Sequence, residues 1–89
     1  MEFEWDENKN KLNIEKHSID FNDAKEVFYD VKRKTSIDLR KDYGEERWIT
    51  IGSILKIVIT VVFTFRGKII RIISTRIASH KEREMYFNN

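Results

Sequence analysis

The chain contains no cysteine and no proline, has only three glycines, and has no apolar run long enough to cross a membrane. Without cysteine there is neither a disulfide framework nor a thiolate zinc site, and His17 and His80 lie too far apart in sequence to suggest a metal site of their own. A reducing, cytoplasmic setting fits. The longest apolar stretch, Ile57 to Phe65, is broken by Thr60 and Thr64, and a membrane helix needs about 20 apolar residues. The N-terminus MEFEWDEN lacks the basic and apolar regions of a signal peptide. There is no nucleotide-binding loop, no paired-carboxylate motif, and no Ser, His and Asp spacing that identifies a hydrolase. No cofactor, no metal and no membrane partner is expected.

What is present is charge, unevenly placed. Residues 1–30 carry nine acids against four Lys and Arg, whereas residues 31–89 carry thirteen bases against six acids, so a net charge of +2 conceals a basic second part. Clustered cations invite a phosphate-rich partner; a well-solvated small domain has the same composition. The length of 89 residues suits one domain spanning 1–89 with a modest core.

The order of elements reads β-α-α-β-β-β-β-α. Phe3 and Trp5 alternate with Glu2 and Glu4 in a short first strand. Asp6 caps a helix to about Ser18, on which Leu12 and Ile14 flank an arc of Lys9, Asn13, Lys16 and His17. If both apolar residues touch the body, that polar arc is turned partly inward, either bonded into the fold or lining a site. Asp20 starts a second helix whose core-facing stripe is Phe21, Ala24, Val27 and Phe28, fraying before a solvated run Lys32, Arg33, Lys34. Then come a weak strand Thr35 to Lys41, a turn at residues 42–45, a strand Arg47 to Ile51, and a tight turn or bulge at Gly52 and Ser53. A central strand Lys56 to Phe65 follows, then a hairpin at Arg66 to Lys68 and a last strand to Arg76. Ser79 and Glu82 have the S-x-x-E spacing of a capping box. The expected fold class is α+β: a mostly antiparallel sheet, two N-terminal helices on one face, and a short C-terminal helix. The second face, expected to carry Val58, Val62, Ile70 and Ile72, needs a cover from the last helix, a partner or a substrate.

Chemistry rests on cations and a histidine: Lys9, Lys16, His17, Arg47, Arg71 and Arg76. RNA cleavage needs little more, because the ribose 2′-hydroxyl is the nucleophile, a base takes its proton, and fixed cations stabilise the phosphate. Histidine is the side chain best suited by type to exchange a proton near neutral pH, which favours His17 as base or acid, although a histidine at a helix C-terminus often serves only the unpaired carbonyls. Lys9, Asn13 and Lys16 bind phosphate or form a solvated face. Arg71 and Arg76 hold phosphate or pair with Glu82, Glu84 or the acidic first segment, and Arg47 holds phosphate or joins a cross-strand pair. Trp5 and Trp48 stack on bases or pack. Tyr86 and Met85 are expected to dock the last helix, and His80 to lie at the surface. In a regular strand Arg71 and Arg76 point to opposite faces, so they meet one phosphate only if the strand bends or bulges between Ser74 and Ala78, or if one is structural.

F-E-W-D-E-x-K at Phe3–Lys9, N-x-x-K-H at Asn13–His17, I-D-F-x-x-A-x-x-V-F at Ile19–Phe28, G-E-E-R-W at Gly44–Trp48 and R-I-I-S-x-R-x-A at Arg71–Ala78 resemble the BrnT toxins of type II toxin-antitoxin pairs, as do Glu82, Arg83 and Tyr86. The resemblance covers nearly the whole chain. It implies a RelE-like fold, a ribonuclease that arrests translation, neutralisation by a BrnA-like antitoxin in a two-plus-two heterotetramer, and operator DNA bound indirectly through the antitoxin. By position it makes Lys9, Lys16, His17, Arg47, Arg71, Ser74 and Arg76 the site candidates, without saying which is acid or base, and Trp5, Asp6, Asn13, Phe21 and Ala24 scaffold; of the candidates, His17, Arg71, Arg76 and Arg47 are expected to be catalytic and Lys9, Lys16 and Ser74 to bind RNA. Where relatives often have Gly after the histidine this chain has Ser18; Thr75 replaces a common Ala, and Ile54 and Leu55 occupy a turn that is often polar. The competing reading is a non-catalytic basic module that binds nucleic acid or protein, or an inactive toxin homologue.

Overall fold

The computed structural model describes residues 1–40 and 42–88. Its elements are β1 (Glu2–Glu4), α1 (Glu7–His17), α2 (Phe21–Ala24) running into a 3-10 turn (Lys25–Tyr29), β2 (Lys34–Ile37), β3 (Trp48–Ile54), β4 (Ile57–Arg66), β5 (Ile69–Ile77) and α3 (His80–Phe87). This is the expected α+β order. The strands lie β1-β5-β4-β3-β2, with β1 parallel to β5 and every other pair antiparallel.

The stripe Phe21, Ala24, Val27 and Phe28 is buried against Ile59, Val61, Phe63, Ile70 and Ile72, with Phe3, Trp5 and Trp48 packed at its margin. These residues define a first face of the sheet. Paired residues of neighbouring strands share a face, so Phe63↔Ile72 and Phe65↔Ile70 place Ile70 and Ile72 on this helix-covered face, not on the second one as expected. Val58 does lie on the second face, where α3 covers it together with Ile51 and Ala78 through Tyr86. Val62 also belongs there, paired with Ser74 and Ile49.

Helix α1 departs most from expectation. Leu12 and Ile14 are 64% and 40% exposed, and the buried residues are Asn10 and Asn13. Asn10 accepts from Phe21 N (2.9 Å) and donates to Asp20 Oδ1 (3.0 Å). Asn13 donates to Ile19 O (3.0 Å) and Thr75 Oγ1 (2.7 Å) and accepts from Thr75 N (3.1 Å). Strand β1 stops pairing at Glu4↔Arg71, which leaves the rest of the β5 edge without a strand neighbour among the described residues; the Asn13 amide stands in for one at Thr75. Asp6 caps the helix start, accepting from Asn8 N (2.8 Å) and Lys9 N (3.3 Å). At the other end Ser18 adopts the left-handed conformation (φ 59°) and donates its N–H to Ile14 O (2.8 Å). The helix therefore ends as a glycine-capped one does, with a side chain in a conformation that glycine adopts more cheaply.

The other differences are local. Strand β2 covers Lys34–Ile37, shorter than the expected Thr35 to Lys41, and Lys41 lies outside the described residues. Gly52 and Ser53 are inside β3, not in a turn. A Cβ on Gly52 would meet Val27 Cγ2 at 2.4 Å, so glycine here allows the 3-10 turn to approach the strand. The hairpin turn is Leu55–Lys56, both with positive φ (47° and 69°), the two-residue geometry that usually selects Asn and Gly. Among the described residues no helix is long and apolar enough to cross a membrane.

Candidate active site

Strand β5 carries the site, and a single irregularity organises it. Val62 pairs with Ser74 but the next residue, Phe63, pairs with Ile72, so Ile73 is an extra residue in β5. A β-bulge of this kind shifts the alternation by one. Arg71 pairs with Thr64, Ser74 with Val62 and Arg76 with Thr60, and all three therefore share the second face. The two arginines do not point to opposite sides. The bulge that unites them lies before Ser74, not between Ser74 and Ala78. Their rows are four β4 residues apart, about 13 Å along the strand at roughly 3.3 Å per residue.

Each arginine already has a carboxylate. Arg71 is ion-paired with Glu4, its neighbour across the parallel β1–β5 ladder. Arg76 makes a two-pronged pair with Glu82, Nη1 to Oε1 at 2.6 Å and Nη2 to Oε2 at 2.9 Å. Glu82 also accepts from Ser79 N (2.8 Å), while Ser79 Oγ accepts from Glu82 N (3.2 Å), completing the capping box of α3. The hydrogen bonds from Arg76 outweigh burial and, with that from Ser79 N, hold the Glu82 carboxyl at about 2 instead of its ordinary 4.5. Glu84 pairs with His80 instead, at 3.0 Å on the exposed flank of the helix.

Arg47 precedes Trp48, whose partner is Phe63, so alternation carries it toward the second face near Thr64; the Thr64 hydroxyl donates to Glu46 O (2.6 Å). The Arg47 guanidinium carbon lies 4.0 Å from the Tyr43 ring centroid, and Nε is 3.5 Å from Glu45 Oε2. Arg47 is thus held by its own loop, not by a cross-strand pair. Among the described residues its buried Nε has no hydrogen-bond partner.

Lys9, Lys16 and His17 come from α1 and approach β5 from its free edge. With Leu12, Asn13, Ile73 and Ser74 they line a shallow depression of about 190 Å³. Ser74 is the junction: it lies on the face with Arg71 and Arg76 and also borders the lysines and His17. His17 further lines an apolar groove of about 450 Å³ with Ile19, Ile54, Leu55, Ile57 and Ile77.

Trp5 packs edge-on against Phe21 (6.1 Å between centroids) and Trp48 against Phe65 (6.5 Å), so both act in packing. Tyr86 docks α3 by donating its hydroxyl to Asp30, whereas Met85 is exposed and does not dock. Asp30 also accepts from Ser53 N and Lys32 N (2.9 Å each). Burial raises its carboxyl, and these hydrogen bonds outweigh burial and leave it below the ordinary value. The same pair pushes the Tyr86 hydroxyl up to about 12.

Two residues with a direct bearing on the site were not singled out as site residues from the sequence: Glu4, the partner of Arg71, and Ile73, the bulge. The signal for the bulge is present in Ile70, Ile72, Ser74, Arg76. An apolar alternation turns polar halfway along one strand, as a shift of phase would make it. Among the described residues no three His, Cys, Asp or Glu side chains converge on a common point.

The Arg76–Glu82 pair makes stability acid-sensitive. Because Glu82 binds its proton less readily in the folded chain than in the unfolded one, its contribution is full above about pH 4.5 and is lost as pH falls toward about 2. Glu82→Gln is expected to lower the melting temperature at pH 7, with the difference from the parent chain shrinking through that window. A difference of the same size at pH 7 and at about pH 2 contradicts this assignment.

Residues 5–82 match the family model described as "Ribonuclease toxin, BrnT, of type II toxin-antitoxin system". A comparison with curated proteins finds no match.

Proposed function

Because the chain belongs to the BrnT ribonuclease toxins of type II toxin-antitoxin systems, we propose that it is a metal-independent endoribonuclease whose scissile phosphate lies over Ser74, between Arg71 and Arg76 on one side and Lys9, Lys16 and His17 on the other. Supporting this reading above all is the bulge at Ile73, which brings Arg71, Ser74 and Arg76 to one face while Ser74 also borders the α1 cations.

Neutral His17 takes the proton of the 2′-hydroxyl, the 2′-oxygen bonds to phosphorus, and the bond from phosphorus to the 5′-oxygen breaks. The leaving oxygen takes a proton from water, and the hydroxide so formed takes back the proton held by His17, giving a 2′,3′-cyclic phosphate and a 5′-hydroxyl with His17 returned to its starting form. Arg71 and Arg76 offset the charge that grows on the phosphate oxygens. Arg47, Lys9 and Lys16 hold the flanking phosphates. Both arginine–carboxylate pairs are partly exposed, and pairs of that kind are worth about 0–1 kcal/mol, so a phosphodiester displaces Glu4 at small cost. The Arg76 pair, two-pronged and tied to a helix cap, yields less readily.

In the cell this activity arrests translation in the cytoplasm. A BrnA-like antitoxin neutralises it in a two-plus-two assembly and brings the pair to operator DNA. The purified chain is expected to cut RNA in excess EDTA, leaving cyclic phosphate ends, and His17→Ala to slow cleavage about 10²-fold or more without a change in melting temperature. Loss of cleavage in EDTA overturns the mechanism, and full activity of His17→Ala overturns the proton assignment. The arginine–carboxylate pairs also favour a second reading, a binding module that does not cut. It predicts salt-dependent RNA binding with no cleavage and no growth arrest on expression.

A further inference from the structure

The run Lys32, Arg33, Lys34 is not absorbed by the β5 site. It lies at the opposite end of the sheet, three strand spacings or about 14 Å from β5. Lys32 and Arg33 are exposed, and Lys34 is half-buried at the start of β2. Two concavities meet there. On the second face, Val31, Lys32, Arg33, Lys34, Tyr86 and Phe87 line a hollow of about 360 Å³. On the first face, Arg33, Thr35 and Lys68 border a hollow of about 300 Å³ floored by Phe28, Phe63, Phe65 and Ile70. Arg33 belongs to both, so the two form a path around the β2 edge.

Each hollow pairs cations with an exposed aromatic ring. Phe87 is 63% exposed, and the Arg83 guanidinium already lies 5.5 Å from its centroid, so a flat group reaches the ring. Phe65 is also half-exposed. Asp30, just before the run, accepts from Tyr86, Ser53 N and Lys32 N through its carboxylate and from Arg33 Nη1 (3.2 Å) through its backbone oxygen. Cations that follow a backbone, interleaved with rings on which bases stack, are what a single strand of nucleic acid requires; an acidic peptide would use the charges and leave the rings idle.

We infer that the β2 edge binds a single-stranded RNA segment remote from the scissile phosphate, with its phosphates on Lys32, Arg33 and Lys34 and its bases stacked on Phe87 and Phe65. This inference goes beyond the nuclease reading and is tested without cleavage. The probe is a fluorescent 2′-O-methyl RNA of roughly 12 nucleotides, which has no free 2′-nucleophile and so reports binding even from a chain that does not cut.

Phe87→Ala is expected to weaken binding about 5- to 150-fold, the range of a lost stacking contact, while Phe87→Trp retains it. Lys32→Gln lowers the slope of log affinity against log salt by about 0.7, as one lost phosphate contact on a single strand does. Melting temperatures identify any variant whose loss comes from unfolding, and Phe87→Trp then carries the test. Affinity within about twofold of the parent for both Phe87→Ala and Lys32→Gln overturns the inference. So does weakened binding of the antitoxin to Phe87→Ala with the RNA unaffected, which would make the patch a protein-docking surface.

Discussion

Arg71→Ala is expected to lower the rate of RNA cleavage by about 10²- to 10³-fold, the usual loss when one preorganised donor to a developing anion is removed. The melting temperature should hardly move. Arg71 sits near the end of the β1–β5 ladder with a half-buried side chain, and its ion pair with Glu4 is partly exposed, so little stability depends on it. Arg76→Ala should behave differently. It releases Glu82 from a two-pronged pair and removes the main influence on that carboxyl, so activity and melting temperature fall together. Glu4→Gln separates the roles further: it removes the carboxylate that competes with phosphate for Arg71 and should tighten RNA binding while leaving the cation in place. Initial rates, Kd for an uncleavable RNA and thermal melts of the three variants decide the matter. An Arg71→Ala chain that cuts at the parent rate removes Arg71 from the site, and weaker RNA binding by Glu4→Gln would mean that Glu4 positions the arginine instead of competing for it.

How far this site was legible follows from which signals are local. The capping box at Ser79 and Glu82, the N-caps Asp6 and Asp20 and the stripe Phe21, Ala24, Val27, Phe28 depend on neighbours within a few residues, and each stands as its spacing implies. The central strand was equally plain, since Val58 to Thr64 is buried on both faces. Register was not local. Whether Ile73 is a regular strand residue or an extra one depends on its pairing with β4, and that one residue decides the faces of Ile70, Ile72, Arg71 and Arg76 together. The turn at Leu55–Lys56 was hidden for a related reason. Two side chains in the left-handed region carry no Gly or Asn signal, and the glycine that was present, Gly52, serves a close approach to Val27. The partner of Arg71 was narrowed only to the acidic first segment, because a parallel pairing between the first and last strands joins residues 67 positions apart.

The largest stability effect is expected from Asn13→Ala. A helix normally docks through an apolar stripe, but α1 presents buried Asn10 and Asn13 while Leu12 and Ile14 face outward. Its attachment is therefore polar, and Asn13 makes three of the bonds: to Ile19 O, to Thr75 Oγ1 and from Thr75 N. Thr75 is 1% exposed, so water does not readily replace the amide. Leaving buried donors and acceptors unpaired costs about 1–3 kcal/mol each, and a total of about 3 kcal/mol corresponds to a fall of roughly 12–24 °C for a domain of this size. Asn13→Asp should be no rescue, because a carboxylate still accepts from Thr75 N but cannot donate to Ile19 O. Leu12→Ala on the exposed flank should stay within about 0.5 kcal/mol of the parent. The consequence reaches the chemistry, since the same helix carries Lys9, Lys16 and His17 to the β5 edge beside Ser74. If Asn13 is the tie, the Thr75 amide exchanges its hydrogen slowly in the parent chain and quickly in Asn13→Ala at temperatures where both are folded. Cleavage falls with it, although no phosphate-binding or proton-transferring group has been touched. A melting temperature within about 3 °C of the parent, less than the shift of a single kcal/mol, would mean that α1 is held by something other than this amide.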